Sequence, residues 1–209
     1  MEVGKLLDDT FKRMQDCTLC ELSKNSFNIR KEGTMDGKLP GGGGLNYIMF
    51  VGTNPSYKRS KTKSFVTFDG GYTGDTFWAI LKELNIDIQK CYFTNTVKCS
   101  TIRNRSITTP ELKNCFQYLK EEINIVKPKI IVTLGTFSRL AFAGEYYKFS
   151  KYELDGKEYD VFAMNHPASI RHDPGYKDRI VDGLNMILER LNQNQTCGNT
   201  YKNIERSVI

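Results

Sequence analysis

A chain of 209 residues with 39% hydrophobic and 26% charged side chains can bury a sizeable core, which excludes a disordered or fibrous polymer. No apolar run approaches the ~18 residues of a membrane span, and Met1-Glu2-Val3-Gly4-Lys5 leads into mixed polar sequence with no signal-peptide core, so a cytoplasmic protein with no membrane partner is expected. The formal charge of +6 admits a phosphate-bearing partner without requiring one, because a basic surface attracts polyanions whatever their sequence.

Residues 4–14 read as a helix with Leu6, Leu7 and Phe11 on one face. Cys17 and Cys20 follow as a C-x2-C pair, and a polar, glycine-rich stretch then runs to Pro40-Gly41-Gly42-Gly43-Gly44. Tyr47-Ile48-Met49-Phe50-Val51 is a short continuous apolar run, as in strands buried on both faces, and Gly52-Thr53-Asn54-Pro55-Ser56 leaves it. A basic run of Lys58, Arg59, Lys61 and Lys63 precedes Phe65. Residues 73–84 predict a helix, and Cys91-Tyr92-Phe93-Thr94-Asn95 a second strand. Thr109-Pro110-Glu111 is a helix start, with Thr as cap, Pro at the first helical position and Glu in the first turn; the helix should reach about Val126. Residues 129–134 predict a third buried strand and residues 135–143 a short helix. Asp155-Gly156 lies between the arms of a hairpin over 151–164, which Asn165-His166-Pro167-Ala168-Ser169 leaves. A last helix is expected over 174–191, with residues 194–209 a flexible tail on a single domain of residues 1–193.

Strands alternating with helices imply an α/β fold, a three-layer αβα sandwich around a mainly parallel sheet. A monomer is expected. Ligands bind such sheets at the carboxyl ends of the strands, and the segments at 52–56, 95–99 and 165–169 all fall there.

Six cysteines in a chain with no secretion signal argue against a disulfide framework. Cys17, Cys20, Cys99 and Cys115 could offer four thiolates to a tetrahedral zinc or to an iron–sulfur cluster. Cys99 and Cys115 equally suit small core positions. Cys91, in a strand, and Cys197, in the tail, look like bystanders.

Cys17-Thr18-Leu19-Cys20-Glu21-Leu22-Ser23-Lys24 resembles the amino-terminal cluster motif of the family 4 uracil-DNA glycosylases. The resemblance continues in order through Leu39-Pro40-Gly41, Ile48-Met49-Phe50-Val51-Gly52, Ser64-Phe65-Val66 and Tyr92-Phe93-Thr94-Asn95-Thr96-Val97-Lys98-Cys99. It closes with Thr109-Pro110-Glu111, Cys115, Lys127-Pro128-Lys129 and His166-Pro167-Ala168. The family implies a uracil-DNA glycosylase-like fold and a [4Fe–4S] cluster held by Cys17, Cys20, Cys99 and Cys115. It further implies a monofunctional enzyme that flips a pyrimidine out of DNA and hydrolyses its bond to the sugar.

By the same resemblance, His166 acts on the departing base, Asn95 reads its edge, Phe65 stacks on it, and Gly52 and Thr53 belong to the base-binding set. Asn54 departs from family 4 and resembles the mismatch-specific and single-strand-selective glycosylases, in which that Asn holds the attacking water. Thr53 stands where family 4 has Glu. Lys58, Arg59, Arg103 and Arg105 are candidate phosphate contacts, and Ile170 and Arg171 fall where the family inserts a wedge into the base stack. As residue types alone, these positions also fit a core histidine, a capping amide, an Asn-Pro turn and solvated charge runs. His172 is expected on the surface.

Between Phe65 and Tyr72 the chain has about four extra residues, Phe68-Asp69-Gly70-Gly71, relative to family 4. That wall keeps a second substrate in view, a hydroxymethylated or glucosylated pyrimidine of phage DNA excised as a defence. A non-catalytic uracil- or DNA-binding module is a further alternative, although residues 100–109 contain no His of the kind that traps uracil covalently. A zinc-bound nucleic-acid adaptor is the remaining one.

Overall fold

The computed structural model describes residues 2–24, 48–57 and 71–205. Lys58, Arg59, Lys61, Lys63, Phe65, Phe68 and the glycine-rich stretch lie outside the described residues.

Helix α1 (Glu2–Gln15) precedes β1 (Ile48–Gly52), α2 (Gly71–Glu83), β2 (Cys91–Asn95) and α3 (Thr109–Val126). Then come β3 (Ile130–Leu134), the short α4 (Thr136–Ala141), the hairpin β4 (Phe149–Leu154) and β5 (Lys157–Met164), a 3-10 turn (Pro167–Arg171) and α5 (Tyr176–Glu205). The strands form a five-stranded sheet in the order β2-β1-β3-β5-β4, parallel except for the β4–β5 hairpin.

Every residue of β1, β2 and β3 is buried, which explains the continuous apolar runs. Successive side chains face opposite layers. Met49, Val51, Tyr92, Ile131 and Val161 pack with Leu7, Phe11 and Met14 of α1 and Leu119 and Ile123 of α3. Ile48, Phe50, Phe93, Val132 and Phe162 pack with Phe77, Ile80 and Leu81 of α2 and Ile180, Leu184 and Ile187 of α5. These are the three layers the sequence predicts.

Three local differences have simple causes. Leu6 is exposed, because the buried stripe of α1 is set by the spacing of Leu7, Phe11 and Met14. The α3 cap is Thr108, not Thr109: a capping box pairs the cap with the acid at the third helical position, and Glu111 fixes the cap three residues before it. Helix α5 continues to Glu205, where the sequence pattern predicts a flexible tail. Residues 192–205 lack an apolar stripe but also lack proline, so nothing interrupts the backbone ladder.

The order β2-β1-β3 means that the chain leaves β1 to one side and later returns to the other. Such a switch point opens a crevice at the carboxyl ends of β1 and β3.

Candidate active site

Along the carboxyl edge of the sheet stand, strand by strand, Asn95 on β2, Gly52 to Asn54 on β1, Gly135 on β3 and Asn165-His166 on β5. At ~4.8 Å between neighbouring strands, the edge from β2 to β5 spans roughly 14 Å, enough to seat a nucleoside across it.

Asn95 pairs with Gly52 across the parallel ladder and is only 5% exposed. Its amide lies over Gly52: a Cβ added at Gly52 would sit 2.4 Å from Asn95 Oδ1. The glycine provides room for that amide. The backbones behind it are locked, since the N–H groups of Thr96 and Val97 donate to the carbonyls of Gly52 and Thr53 at 2.9 Å each, and Thr96 Oγ1 donates to Thr53 O at 2.8 Å. Asn54 follows, half-buried, with Nδ2 donating to Pro55 O at 3.1 Å.

His166 caps the 3-10 turn, and its Nδ1 accepts the Ala168 N–H at 3.1 Å. That bond assigns the proton of the neutral ring to Nε2. Burial pushes the His166 pKa down to about 4, so the ring is neutral at physiological pH. Gly135 supports it from β3: its φ of +91° is one that L side chains rarely adopt, and a Cβ there would stand 3.3 Å from His166 Cβ. Asn165, beside the histidine, accepts a hydrogen bond from the Tyr147 hydroxyl at 2.7 Å. Gly135, Asn165 and Tyr147 were not expected as site residues. The glycine that opens the helix after β3 hinted at one of them, and the 165–169 segment at another.

The four cysteines of the expected cluster share one side of the core. Cys99 and Cys115 are buried in one core cluster against which Cys17 and Cys20 pack, and all four are free thiols. Asn114 Nδ2 donates to Leu19 O at 2.9 Å, tying the C-x2-C turn to α3 next to Cys115. The backbone N–H of Lys98 donates to Cys115 Sγ at 3.2 Å, the kind of amide contact that steadies a thiolate sulfur. Burial pushes the Cys115 thiol up to about 11, partly offset by that N–H and by the Lys98 charge. Four cysteine side chains and an amide donor on one sulfur are the residue types that suit an iron–sulfur cluster. Among the described residues, no group of three or more His, Cys, Asp or Glu side chains is arranged to hold a single metal ion.

Of the expected DNA contacts, Arg103 is exposed at the tip of the 102–104 turn with φ 54°, beside Asn104 at φ 57°. Asn104 Oδ1 accepts the Tyr57 N–H at 2.6 Å, joining this loop to the one after β1. Arg105 is placed differently from expectation. Its guanidinium bonds both carboxylate oxygens of Glu111, at 3.0 and 2.5 Å, and holds that carboxyl below its ordinary range. Its charge is matched by the helix cap, so it braces the loop. Ile170 is also corrected: it is 5% exposed, packed into the α2–α5 core, and a buried side chain is not a wedge. Arg171 is exposed, with its guanidinium 5.2 Å from the centre of the exposed Tyr72 ring.

The sequence model of the uracil DNA glycosylase superfamily matches residues 45–185. A type-4 uracil-DNA glycosylase of Archaeoglobus fulgidus is 28% identical over 202 residues, covering 90% of this chain and 95% of the relative. One of Thermotoga maritima is 31% identical over 158 residues, 75% of each chain. One of Sulfurisphaera tokodaii is 32% identical over 155 residues, 68% of this chain and 69% of the relative.

Proposed function

Because the chain belongs to the uracil DNA glycosylase superfamily, we propose that it excises uracil from DNA by hydrolysis of the bond between base and sugar, with a [4Fe–4S] cluster as a structural cofactor. The observation that carries this reading is the neutral His166, whose Nδ1 accepts the Ala168 N–H so that the ring's donor is Nε2–H.

In the reaction the C1′–N1 bond breaks, its electron pair leaves with the base, and the sugar becomes oxocarbenium-like. Water then adds at C1′, losing a proton to solvent or to the departing base. The protein supplies little covalent chemistry. A donor aimed at the uracil O2, where negative charge grows, is worth on the order of 10²–10³ in rate, because the charge is absent from the ground state. His166 holds that donor without first having to lose a proton. The Asn54 amide oxygen accepts from the attacking water and fixes its approach.

Asn95 reads the base. Its amide offers one acceptor to the uracil N3–H and one donor to O4, and cytosine presents the opposite pattern. Phe65 is the stacking partner by family resemblance. Cys17, Cys20, Cys99 and Cys115 would hold the cluster, which joins the amino-terminal segment, the 99–109 loop and α3 into one body. The exposed Arg171–Tyr72 pair takes over from Ile170 as the group at the DNA stack, and Arg103 contacts phosphate.

The purified holoprotein should be tested on oligonucleotides carrying uracil, hydroxymethyluracil, or plain or glucosylated hydroxymethylcytosine. Release of free uracil with an abasic site left behind is expected. Release of only the modified bases would move the substrate, and tight binding with no base released would make the chain a binding module.

A further inference from the structure

Lys98 is 2% exposed, among the largest fully buried side chains of the molecule. An ammonium group tolerates such a place when its donors find acceptors. Three acceptors surround it: Thr94 Oγ1 at 2.6 Å, the Asn95 carbonyl at 2.7 Å and Glu122 Oε2 at 2.6 Å. Thr94 Oγ1 in turn donates to Glu122 Oε2 at 2.8 Å. Glu122 is fully buried on α3, about two helical turns beyond Cys115.

The location explains the arrangement. Among the described residues β2 is an edge strand, and its outer side has no neighbouring strand to take up its backbone groups. At its last residue the acceptor is the Asn95 carbonyl, and Lys98 Nζ supplies the donor. We propose that Lys98 and Glu122 are positioning residues for base recognition, clamping the Asn95 main chain to α3 so that the amide over Gly52 keeps its orientation. The proposal rests on the reading of Asn95 as the base-reading residue.

A clamp made of charges is not the obvious way to stabilise a core. Desolvating both ions offsets most of their attraction, and an apolar pair of similar volume often folds as well or better. What the ammonium adds is direction, since its three donors fix two points on β2 and one on α3 at once. An amide that must tell uracil from cytosine needs that direction, because a hydrogen bond weakens steeply as its angle falls. Stability and positioning therefore separate by mutation.

The test compares Lys98→Met with the double variant Lys98→Met/Glu122→Leu. Hydrogen exchange reads the clamp without turnover. In both variants the Thr96 and Val97 amides should exchange about tenfold faster or more, with residues 130–134 of β3 unchanged. Single-turnover excision should show the preference for uracil over cytosine falling by on the order of tenfold or more, at an unchanged ratio of iron to protein. The double variant should recover the thermal stability that the single one loses, but not the preference. If the single variant does not fold, the double variant carries both measurements.

A folded variant with wild-type protection at Thr96 and Val97 and wild-type preference overturns the proposal. So does a double variant that regains preference together with stability, or a single variant that loses iron in parallel with activity. If the wild-type protein releases no uracil, the glycosylase reading fails on its own, and the exchange data still decide whether the clamp exists.

Discussion

Two halves of one connection between β2 and α3 are built on opposite plans. Residues 95–101 are all buried, their backbone bonded to the loop after β1 and their one lysine enclosed by acceptors. Residues 102–106 are all exposed and carry Arg103 and Asn104 in left-handed conformations at the tip. In the proposed function the first half faces the base and the second faces the duplex. Base recognition is thus organised during folding, where misplacement by about 1 Å can cost ~10² in rate. Strand contact is left to exposed charge, where single contacts are individually small.

Breaking the buried half should have the larger consequences. Cys115→Ala removes a thiolate from the hub where Lys98, α3 and the C-x2-C turn meet. We expect loss of nearly all iron, of the broad absorbance near ~400 nm that iron–thiolate charge transfer gives, and of much of the thermal stability. Iron assay and visible spectroscopy on anaerobically prepared protein measure this, and zinc in place of iron would contradict it.

Gly52→Ala probes the same half with one methyl group. The added Cβ would stand 2.4 Å from Asn95 Oδ1, so the amide must move. Excision should fall about 10²-fold with DNA affinity and iron content unchanged. A wild-type rate would show that the amide over Gly52 has no part in catalysis.

Arg171→Ala tests exposed charge outside this connection, on the turn after β5. It removes one cation and its contact with Tyr72, so affinity for DNA should weaken uniformly across sequences and the slope of log affinity against log salt should fall by about 1. Excision from bound substrate should change little. A larger effect on rate than on affinity would place Arg171 with the catalytic groups.

The smallest effect is a linkage. Burial pushes His166 down to about 4 from an ordinary value of 6.5, so the unfolded chain takes up its proton first as the pH falls. Stability present above pH 6.5 is therefore lost as the pH drops toward 4, about 2 kcal/mol of it between pH 6.5 and 5. Against a His166→Gln variant, the wild-type thermal midpoint should fall by an extra 4–8 °C or so over that interval. Parallel pH profiles for the two proteins would mean that the ring is already charged or solvated.

Most of the scaffold was legible from sequence because its signals are strong and local. Continuous apolar runs marked β1, β2 and β3, Asp155-Gly156 marked the hairpin, and the Pro110–Glu111 start marked α3 to within a residue. The placement of Asn95 and His166 at strand ends was legible for the same reason, since each stands at the close of such a run. What escaped depends on contacts across the chain. Lys98 and Glu122 lie 24 residues apart and carry charges that normally signal solvent. The available clue was a lone lysine inside the otherwise uncharged stretch from Cys91 to Cys99. Ile170 misled in the opposite sense, because an apolar side chain after the His-Pro-Ala motif suits a wedge until α5 closes over it. Arg105 resembled a phosphate contact because nothing local shows that Glu111, six residues on, already engages its guanidinium through both carboxylate oxygens.

If His166 stabilises charge developing on a departing uracil, its removal must slow release without weakening binding. Single-turnover release of uracil from a DNA oligonucleotide and binding of the same oligonucleotide should be measured for the wild-type protein and His166→Ala. The wild type should give equimolar free uracil and abasic site, with the variant slower by on the order of 10²-fold or more and binding nearly unchanged. A His166→Ala protein that releases uracil at the wild-type rate, or that loses affinity as much as rate, would contradict that role.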